Sequence, residues 1–352
     1  VSRRGERPLR ALLVDDSDAM RGELERLLVE GGLEVVAHAR DGEEALRLAL
    51  SRHPDLVLLD LQMPRMDGFT FLRLLMGRRP LPVVVLSAMS RRQDVFKALE
   101  LGALDFVAKP EQGGLEAVRA ELLAKCAVVR SLRIGNLAPL PAADHDPAEP
   151  RPLVEPPRVA VVGASTGGPR AVQELLAALP GDLPLGVLVA QHMPEKFTRA
   201  FADRLGRGTP FTVAEAEEGD LVAAGRVLVA PGGRHLELRR GSGAGRGLRA
   251  AVVPPDVGDG APRYAPSVDR LFTSAALAMP RRLCAVVLTG MGSDGAAGVQ
   301  AVKAAGGLTI AESADTAVVY GMPYAAQASG AVDEVLGLPA IAERLARFAR
   351  DD

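Results

Sequence analysis

Three side chains that could together perform acyl transfer are spread over the second half of this sequence: Ser165, His192 and Asp294. Ser165 lies in VAVVGASTGGP, residues 159–169, where an apolar strand runs straight into a glycine-rich turn. A serine hydroxyl is protonated at neutral pH and attacks only if a base takes its proton. His192, in QHMP after the apolar run Leu185–Ala190, is a candidate base. Asp294, in LTGMGSDG after the apolar run Ala285–Leu288, is a carboxylate that could orient and stabilise it. Each of the three follows the carboxyl end of an expected buried strand, where an open α/β sheet gathers its active crevice.

Other readings of the same residues stay open at this stage. Gly163-Ala-Ser165-Thr-Gly167 satisfies the G-x-S-x-G elbow, yet the chain order Ser, His, Asp is not the Ser, acid, His order of the α/β-hydrolases. A glycine turn at Ser165 and a helix cap at Asp294 are the plainer alternatives. His235, in APGGRHLEL, is the other histidine of the second half and a second candidate base, or a residue lining a β-rich insert. Gly290-Met-Gly292-Ser-Asp-Gly295 also fits G-x-G-x-x-G, with Glu312 or Asp315 about 20 residues on, as a dinucleotide site requires. Against that, Asp294 would place a carboxylate inside the turn that should cradle a pyrophosphate, and Ser165 and His192 would be left without a role.

The first half carries a separate constellation. Asp15 and Asp16 end the first apolar run, Asp60 the third, Ser87 the fourth, and Lys109 closes the fifth, so all five fall on one rim of a sheet. Three carboxylates gathered there repel one another unless a cation joins them, and hard oxygen ligands suit Mg²⁺. Asp60 could then attack a phosphoryl group neutralised by the metal and Lys109 and hydrogen-bonded by Ser87. Lys109 is one of only five lysines among 42 basic residues, which suggests a position that needs a compact point charge rather than a guanidinium.

The elements that would position these groups alternate along the chain. Apolar runs at 11–14, 35–39, 56–59, 83–86 and 106–108, separated by helix-period segments, predict a doubly wound five-stranded parallel sheet. Seven prolines in 136–158 mark a linker that extends without packing, placed at 136–157. Beyond it the alternation resumes, predicting a second α/β domain with a mostly parallel sheet. A β-rich insert at 211–253, with hairpin signals at Pro231-Gly232-Gly233 and in GSGAGRG, is expected to interrupt it as an antiparallel excursion.

Composition narrows the functions available. At 352 residues two domains are expected, each able to bury its own core. Aromatic residues make up 3% with no Trp, which disfavours base-stacking platforms. Charge is balanced, 21 basic against 23 acidic residues in 1–150 and 21 against 21 in 151–352, so no nucleic-acid partner is expected. Cys126 and Cys284 cannot make a disulfide framework and read as buried free thiols of a reducing cytoplasm. No apolar stretch reaches the ~18 residues of a membrane span. A cytoplasmic, monomeric protein without membrane insertion is expected.

LLVDDSDAMR, LVLLDLQMPRMDGF, VVVLSAMS and GALDFVAKP resemble the blocks of the response-regulator receiver domain over about 8–130. The resemblance implies that Asp60 is phosphorylated, that Asp15, Asp16 and Asp60 hold Mg²⁺, that Ser87 and Lys109 contact the phosphoryl group, and that Phe106 is the aromatic switch. VVGASTGGP, QHMPEKFTRAFADRL and LTGMGSDGAAG, with APGGRHLEL, PSVDRLF and VVYGMP, resemble the catalytic domain of the chemotaxis protein-glutamate methylesterases over 158–348. That resemblance implies hydrolysis of glutamyl methyl esters on chemoreceptors and deamidation of receptor glutamines. Ser165 would be the nucleophile, His192 the base and then the acid, and Asp294 the orienting carboxylate, with amides near Thr166 and Met291 as oxyanion donors and no cofactor in this domain. The expected phosphodonor is a chemotaxis-type histidine kinase, and the expected control is a receiver that covers the crevice until phosphorylation shifts the population. A response regulator whose output domain only binds is the alternative.

Overall fold

The computed structural model describes residues 7–88, 92–110, 114–136, 153–241, 247–256, 258 and 264–351. The chain divides into two compact units, Val1–Leu140 and Pro141–Asp352. Most of the expected linker, residues 137–152, lies outside the described residues.

The first unit is built on β1 (Arg10–Val14), β2 (Glu34–Ala39), β3 (Leu56–Asp60), β4 (Val83–Ala88) and β5 (Asp105–Lys109). All pairings are parallel, in the order β2-β1-β3-β4-β5. Parallel strands covered on both faces need apolar side chains in both directions, and the uninterrupted runs of β1, β3 and β4 supply them. The intervening helices are α1 (Asp18–Glu30), α2 (Gly42–Arg52), α3 (Gly68–Arg78) and α4 (Arg92–Glu100), followed by α5 (Arg119–Ala127). Ser17, Asp41 and Asp67 cap the first three by accepting the amides of Met20, Glu44 and Thr70. The strand order reverses between β1 and β3, which places the crevice of this sheet beside Asp15 and Asp60.

The second unit holds β6 (Arg158–Ala164), β7 (Leu185–Gln191), β8 (Thr212–Glu215), β9 (Arg226–Val229), β10 (His235–Gly241), β11 (Gly247–Val253), β12 (Leu283–Val287), β13 (Leu308–Glu312) and β14 (Glu334–Leu336). Seven of these make one parallel sheet, ordered β14-β13-β12-β6-β7-β9-β8. Its helices are α6 (Gly168–Ala177), α7 (Thr198–Gly208), α8 (Val268–Ala278), α9 (Ala296–Ala304), α10 (Met322–Ala328) and α11 (Leu338–Arg350). Here the order reverses between β6 and β12, so Ser165 and Asp294 flank the switch point and His192 follows the next strand.

The insert is smaller than its β-rich sequence implies. β8 and β9 extend the parallel sheet, and only β10 and β11 form an antiparallel hairpin, in register from His235 with Val253 to Gly241 with Gly247. Pro231-Gly232-Gly233 does not close a hairpin but carries the chain from the end of β9 to the separate pair β10 and β11. A Cβ on Gly232 would lie 2.6 Å from the Pro194 carbonyl carbon, so glycine is required there by close approach. The turn of the second hairpin signal, 242–246, lies outside the described residues. Strand periodicity reports burial of two faces but not the direction of the neighbour, which is why sequence could not assign β8 and β9.

The hairpin and α8 cover one face of the seven-stranded sheet, where Leu236, Leu238, Leu271 and Phe272 pack on Val161 and Leu188. α8 meets α9 at a glycine: a Cβ on Gly298 would stand 2.6 Å from that of Phe272. Phe272 is fully buried at this junction. Phe272→Ala is expected to destabilise the second unit by about 4 kcal/mol through lost burial and the cavity left behind, read as a lower denaturant midpoint with unfolding of the first unit unchanged.

Candidate active site

Ser165 follows β6 directly, in a turn whose Gly167 adopts φ 79° before α6 begins. Its amide donates to Thr289 O (3.0 Å) and its carbonyl accepts from Gly168 N (2.7 Å), so both sides of the peptide unit are fixed. Gln191, at the end of β7, donates its side-chain amide to the carbonyls of Ser165 (2.9 Å) and His192 (3.1 Å). The nucleophile and base candidates are thus tied together through one buried amide, a link that no sequence signal indicated.

His192 presents Nε2 to Asp294 Oδ2 at 2.8 Å, with side chains 7% and 11% exposed. Nδ1 is buried with no hydrogen-bond partner among the described residues. The carboxylate of Asp294 also accepts Ser267 Oγ (3.1 Å), Val268 N (2.8 Å) and Asp269 N (2.8 Å). Burial opposes ionisation of Asp294, but the His192 hydrogen bond and charge, with the Asp269 and Val268 amides, hold its carboxyl below the usual range. An ionised Asp294 requires a proton on Nε2, which leaves Nδ1 with the free lone pair. The imidazole is therefore turned the other way round from the arrangement in which Nδ1 faces the acid.

Asp294 sits one residue before the cap of α9, yet its carboxylate holds the first turn of α8. Asp269, in the first turn of α8, returns the arrangement by accepting Gly295 N (2.9 Å) and Gly298 N (2.6 Å) at the start of α9. Burial and the neighbouring Asp294 charge push the Asp269 carboxyl up. A helix amino terminus favours negative charge, so two acidic side chains are accommodated side by side. This cross-capping also argues against the dinucleotide reading, since the Gly295 amide of the G-x-G-x-x-G turn and the Gly298 amide just beyond it already serve Asp269, and the Asp294 carboxylate in the turn serves α8.

Tyr264 stacks on His192, with centroids 4.2 Å apart and planes 20° from parallel. It limits rotation of the imidazole, and sequence reasoning missed it because the quoted block begins at Pro266. His235 is set apart from this role: it is 1% exposed, and its Nδ1 accepts Ser267 N at 3.1 Å. Burial and the Arg270 charge lower its pKa. Among the oxyanion candidates, Thr166 is buried beside Ser165 and its carbonyl accepts Thr289 Oγ1 (3.0 Å). Met291 follows Gly290, where a Cβ would fall 2.8 Å from that of Ser165. The 289–291 segment therefore lies against the serine.

In the first unit Asp15, Asp16 and Asp60 bring carboxylate oxygens within 4.8 Å of one another. Lys109 donates to Asp15 Oδ2 (3.0 Å) and Asp60 Oδ2 (2.5 Å). Backbone amides of Ser17 and Gln62 bond the remaining oxygens of Asp15 (2.9 Å) and Asp60 (3.1 Å). Burial raises the Asp15 carboxyl in spite of Lys109, whereas Asp60 and Asp15 outweigh burial in raising Lys109. An all-oxygen, anionic donor set of this size fits a small hard divalent cation. Ser87 is buried on the same rim, one residue beyond Leu86, the register partner of Asp60. Phe106 points inward at 2% exposure, with the Lys125 ammonium 5.0 Å over its ring and bonded to its carbonyl.

A family model described as CheB methylesterase matches residues 160–345, and one described as response regulator receiver domain matches 11–119. A curated protein-glutamate methylesterase/protein-glutamine glutaminase of Anaeromyxobacter dehalogenans is 66% identical over 353 residues, covering 100% of this chain and 99% of that protein. One from Myxococcus xanthus is 49% identical, with 96% of each covered. The crystal structure of the Thermotoga maritima CheB methylesterase catalytic domain superposes with a TM-score of 0.51 at 38% identity, covering 55% of this chain and all of that one.

The low carboxyl of Asp294 has a consequence for stability. A depressed folded pKa contributes stability that is complete above the ordinary value of 3.8 and disappears as pH falls through the lower folded value. Asp294→Asn is expected to cost about 2 kcal/mol at neutral pH, the range for a hydrogen bond to a charged group. The gap from wild type should close below that window in denaturant titrations at a series of pH values.

Proposed function

The chain belongs to the CheB methylesterase family, and from that membership we propose that Ser165, His192 and Asp294 carry out its hydrolysis. The protein is a phosphorylation-activated protein-glutamate methylesterase and protein-glutamine glutaminase of chemotaxis-type signalling, a response regulator joined to a hydrolase. Its substrates are the glutamyl methyl esters and particular glutamines of chemoreceptors. The observation that carries the residue assignment is the His192 ring, bonded at Nε2 to Asp294 and with an Nδ1 that has no hydrogen-bond partner among the described residues.

Ser165 Oγ attacks the ester carbonyl as His192 Nδ1 takes its proton. Asp294 stabilises the imidazolium so formed and is itself stabilised by the α8 amides, so no proton needs to pass to it. The amides of Thr166 and Met291 face the oxyanion. Collapse of the tetrahedral intermediate expels methanol with the proton from Nδ1, leaving a glutamyl ester on Ser165. Water then attacks, giving its proton to Nδ1, and the second collapse returns that proton to Ser165 Oγ and releases the free glutamate. For a glutamine the leaving group is ammonia and the same groups serve. The new carboxylate restores a negative charge to the receptor.

We place the receiver at 8–130, the linker at 136–157 and the catalytic domain at 158–348. Asp60 is the phosphoacceptor for a histidine kinase, with Ser87 and Lys109 contacting the phosphoryl oxygens and Phe106 as the switch. Asp15, Asp16 and Asp60 would hold Mg²⁺, which when bound neutralises the charge that three carboxylates and a phosphoryl group bring together. Among the described residues no helix is long and apolar enough to cross a membrane.

Ser165→Ala and His192→Ala are each expected to abolish methanol release from methylated receptors, a loss of at least about 10³-fold; the denaturant midpoint should stay near wild type in Ser165→Ala and fall in His192→Ala, which removes a hydrogen bond from the Asp294 carboxylate. A dead His235→Ala with an active His192→Ala would overturn the assignment of the base. Asp60→Asn should block phosphorylation and leave the enzyme at its low rate whether or not a phosphodonor is added. A fragment comprising residues 157–352 should exceed the unphosphorylated full chain in rate; equal rates would exclude restraint by the receiver and leave recruitment to the receptor or direct activation by the phosphorylated receiver.

A further inference from the structure

Glu312, at the end of β13, is 1% exposed and has no part in the chemistry above. Its Oε2 accepts Thr289 N at 2.7 Å and its Oε1 accepts Thr316 Oγ1 at 2.9 Å. Thr289 in turn holds the serine turn: its carbonyl accepts Ser165 N (3.0 Å) and its hydroxyl donates to Thr166 O (3.0 Å) while accepting Val319 N (2.9 Å). Gly290, next in the chain, donates to Val319 O (3.1 Å) and accepts Met322 N (2.7 Å). Thr289 therefore stands between a buried carboxylate on one side and Ser165 on the other, immediately before Gly290 and Met291.

We propose that Glu312 is a positioning residue for the hydrolysis: by accepting the Thr289 amide it fixes the Thr289–Met291 segment against the Ser165 turn and so aims the oxyanion donors. The inference rests on the reading of Ser165 as nucleophile. A carboxylate acceptor makes a stronger bond to an amide than a neutral one. Each oxyanion donor is worth about 10²–10³ in kcat, and an error of about 1 Å in such a site costs on the order of 10². A carboxylate that holds the donor segment thus acts on rate rather than on substrate affinity.

The same carboxyl titrates near neutral pH. Burial pushes it up to about 7, opposed by the Thr289 and Thr316 hydrogen bonds. The charged groups that bear on it are Glu174, which raises it, and Arg170, which lowers it; both lie on α6 and pair with each other at 2.7 Å. The charged, stronger acceptor predominates above about pH 7, so the grip on the segment weakens as pH falls through that value. This adds an ionisation near 7 to the kcat profile.

The test compares full-length wild type, Glu312→Gln, Glu312→Leu and Ser165→Ala, phosphorylated with a small-molecule donor, in methanol release from methylated chemoreceptor membranes between pH 5.5 and 8.5. Glu312→Leu is expected to lower kcat about 10–100-fold with KM within about twofold. Glu312→Gln retains an oxygen for the Thr289 amide and an NH₂ that Thr316 Oγ1 can accept. It should recover most of the lost rate at pH 8 and lose the ionisation near 7. Wild-type kcat in Glu312→Leu, or an unchanged profile in Glu312→Gln, would overturn the inference. If Glu312→Leu does not fold, the Glu312→Gln profile decides alone. Activity in Ser165→Ala would instead overturn the reading of the nucleophile, so the two failures are separable.

Discussion

The catalytic unit depends on how it accommodates the buried negative charge of Asp294. An isolated carboxylate in a protein interior costs several kcal/mol unless it is fully hydrogen-bonded. Here the first turn of α8 supplies two backbone amides and Ser267, and His192 supplies the fourth bond. Asp269 repeats the arrangement in the opposite direction, from α8 to the start of α9. Because each acid lies next to one helix and caps the other, neither helix can shift without releasing a charge. The Asp294 carboxylate is thereby a structural joint, and the orientation of the imidazole follows from it.

Both chemistries of the chain use the same property of parallel sheets. Strands that all run one way end on a common rim, and a reversal of strand order opens a crevice there. In the receiver the reversal lies between β1 and β3, and Asp15 and Asp60 meet across it. In the hydrolase it lies between β12 and β6, and Asp294 and Ser165 approach from either side. The difference lies in what the rim collects. Carboxylates with one lysine suit a metal and a phosphoryl group, whereas a hydroxyl, an imidazole and one sequestered carboxylate suit acyl transfer.

Close backbone packing supplies the remaining precision of the hydrolase. Gly290 can lie against Ser165 only because it has no Cβ, and Thr289 uses its amide, carbonyl and hydroxyl to join β13, the serine turn and Val319. Gln191 joins the ends of β6 and β7 in the same manner. The Thr289 network satisfies the amide, carbonyl and hydroxyl of that residue, and a buried polar network satisfied in this way holds a single geometry.

The sequence by itself determined the two α/β units, the rim position of every chemical group, and the family, because these depend on local patterns: apolar runs of strand length, glycine turns after them, and blocks at fixed spacing. Ser165, His192 and Asp294 were legible as a set for that reason, as were Asp15, Asp16, Asp60, Ser87 and Lys109. What the tertiary structure alone decided is contact between residues remote in the chain. That β8 and β9 join the parallel sheet is a matter of which neighbour they find, and alternation within a strand is silent on it. Which ring nitrogen of His192 faces Asp294, the stacking of Tyr264, the exchange of caps by Asp269 and Asp294, and the grip of Glu312 on Thr289 all arise from packing across more than twenty residues of separation. Glu312 illustrates the limit: its spacing from a glycine motif suggested a nucleotide, and only its burial and its bond to the Thr289 amide gave it a different place.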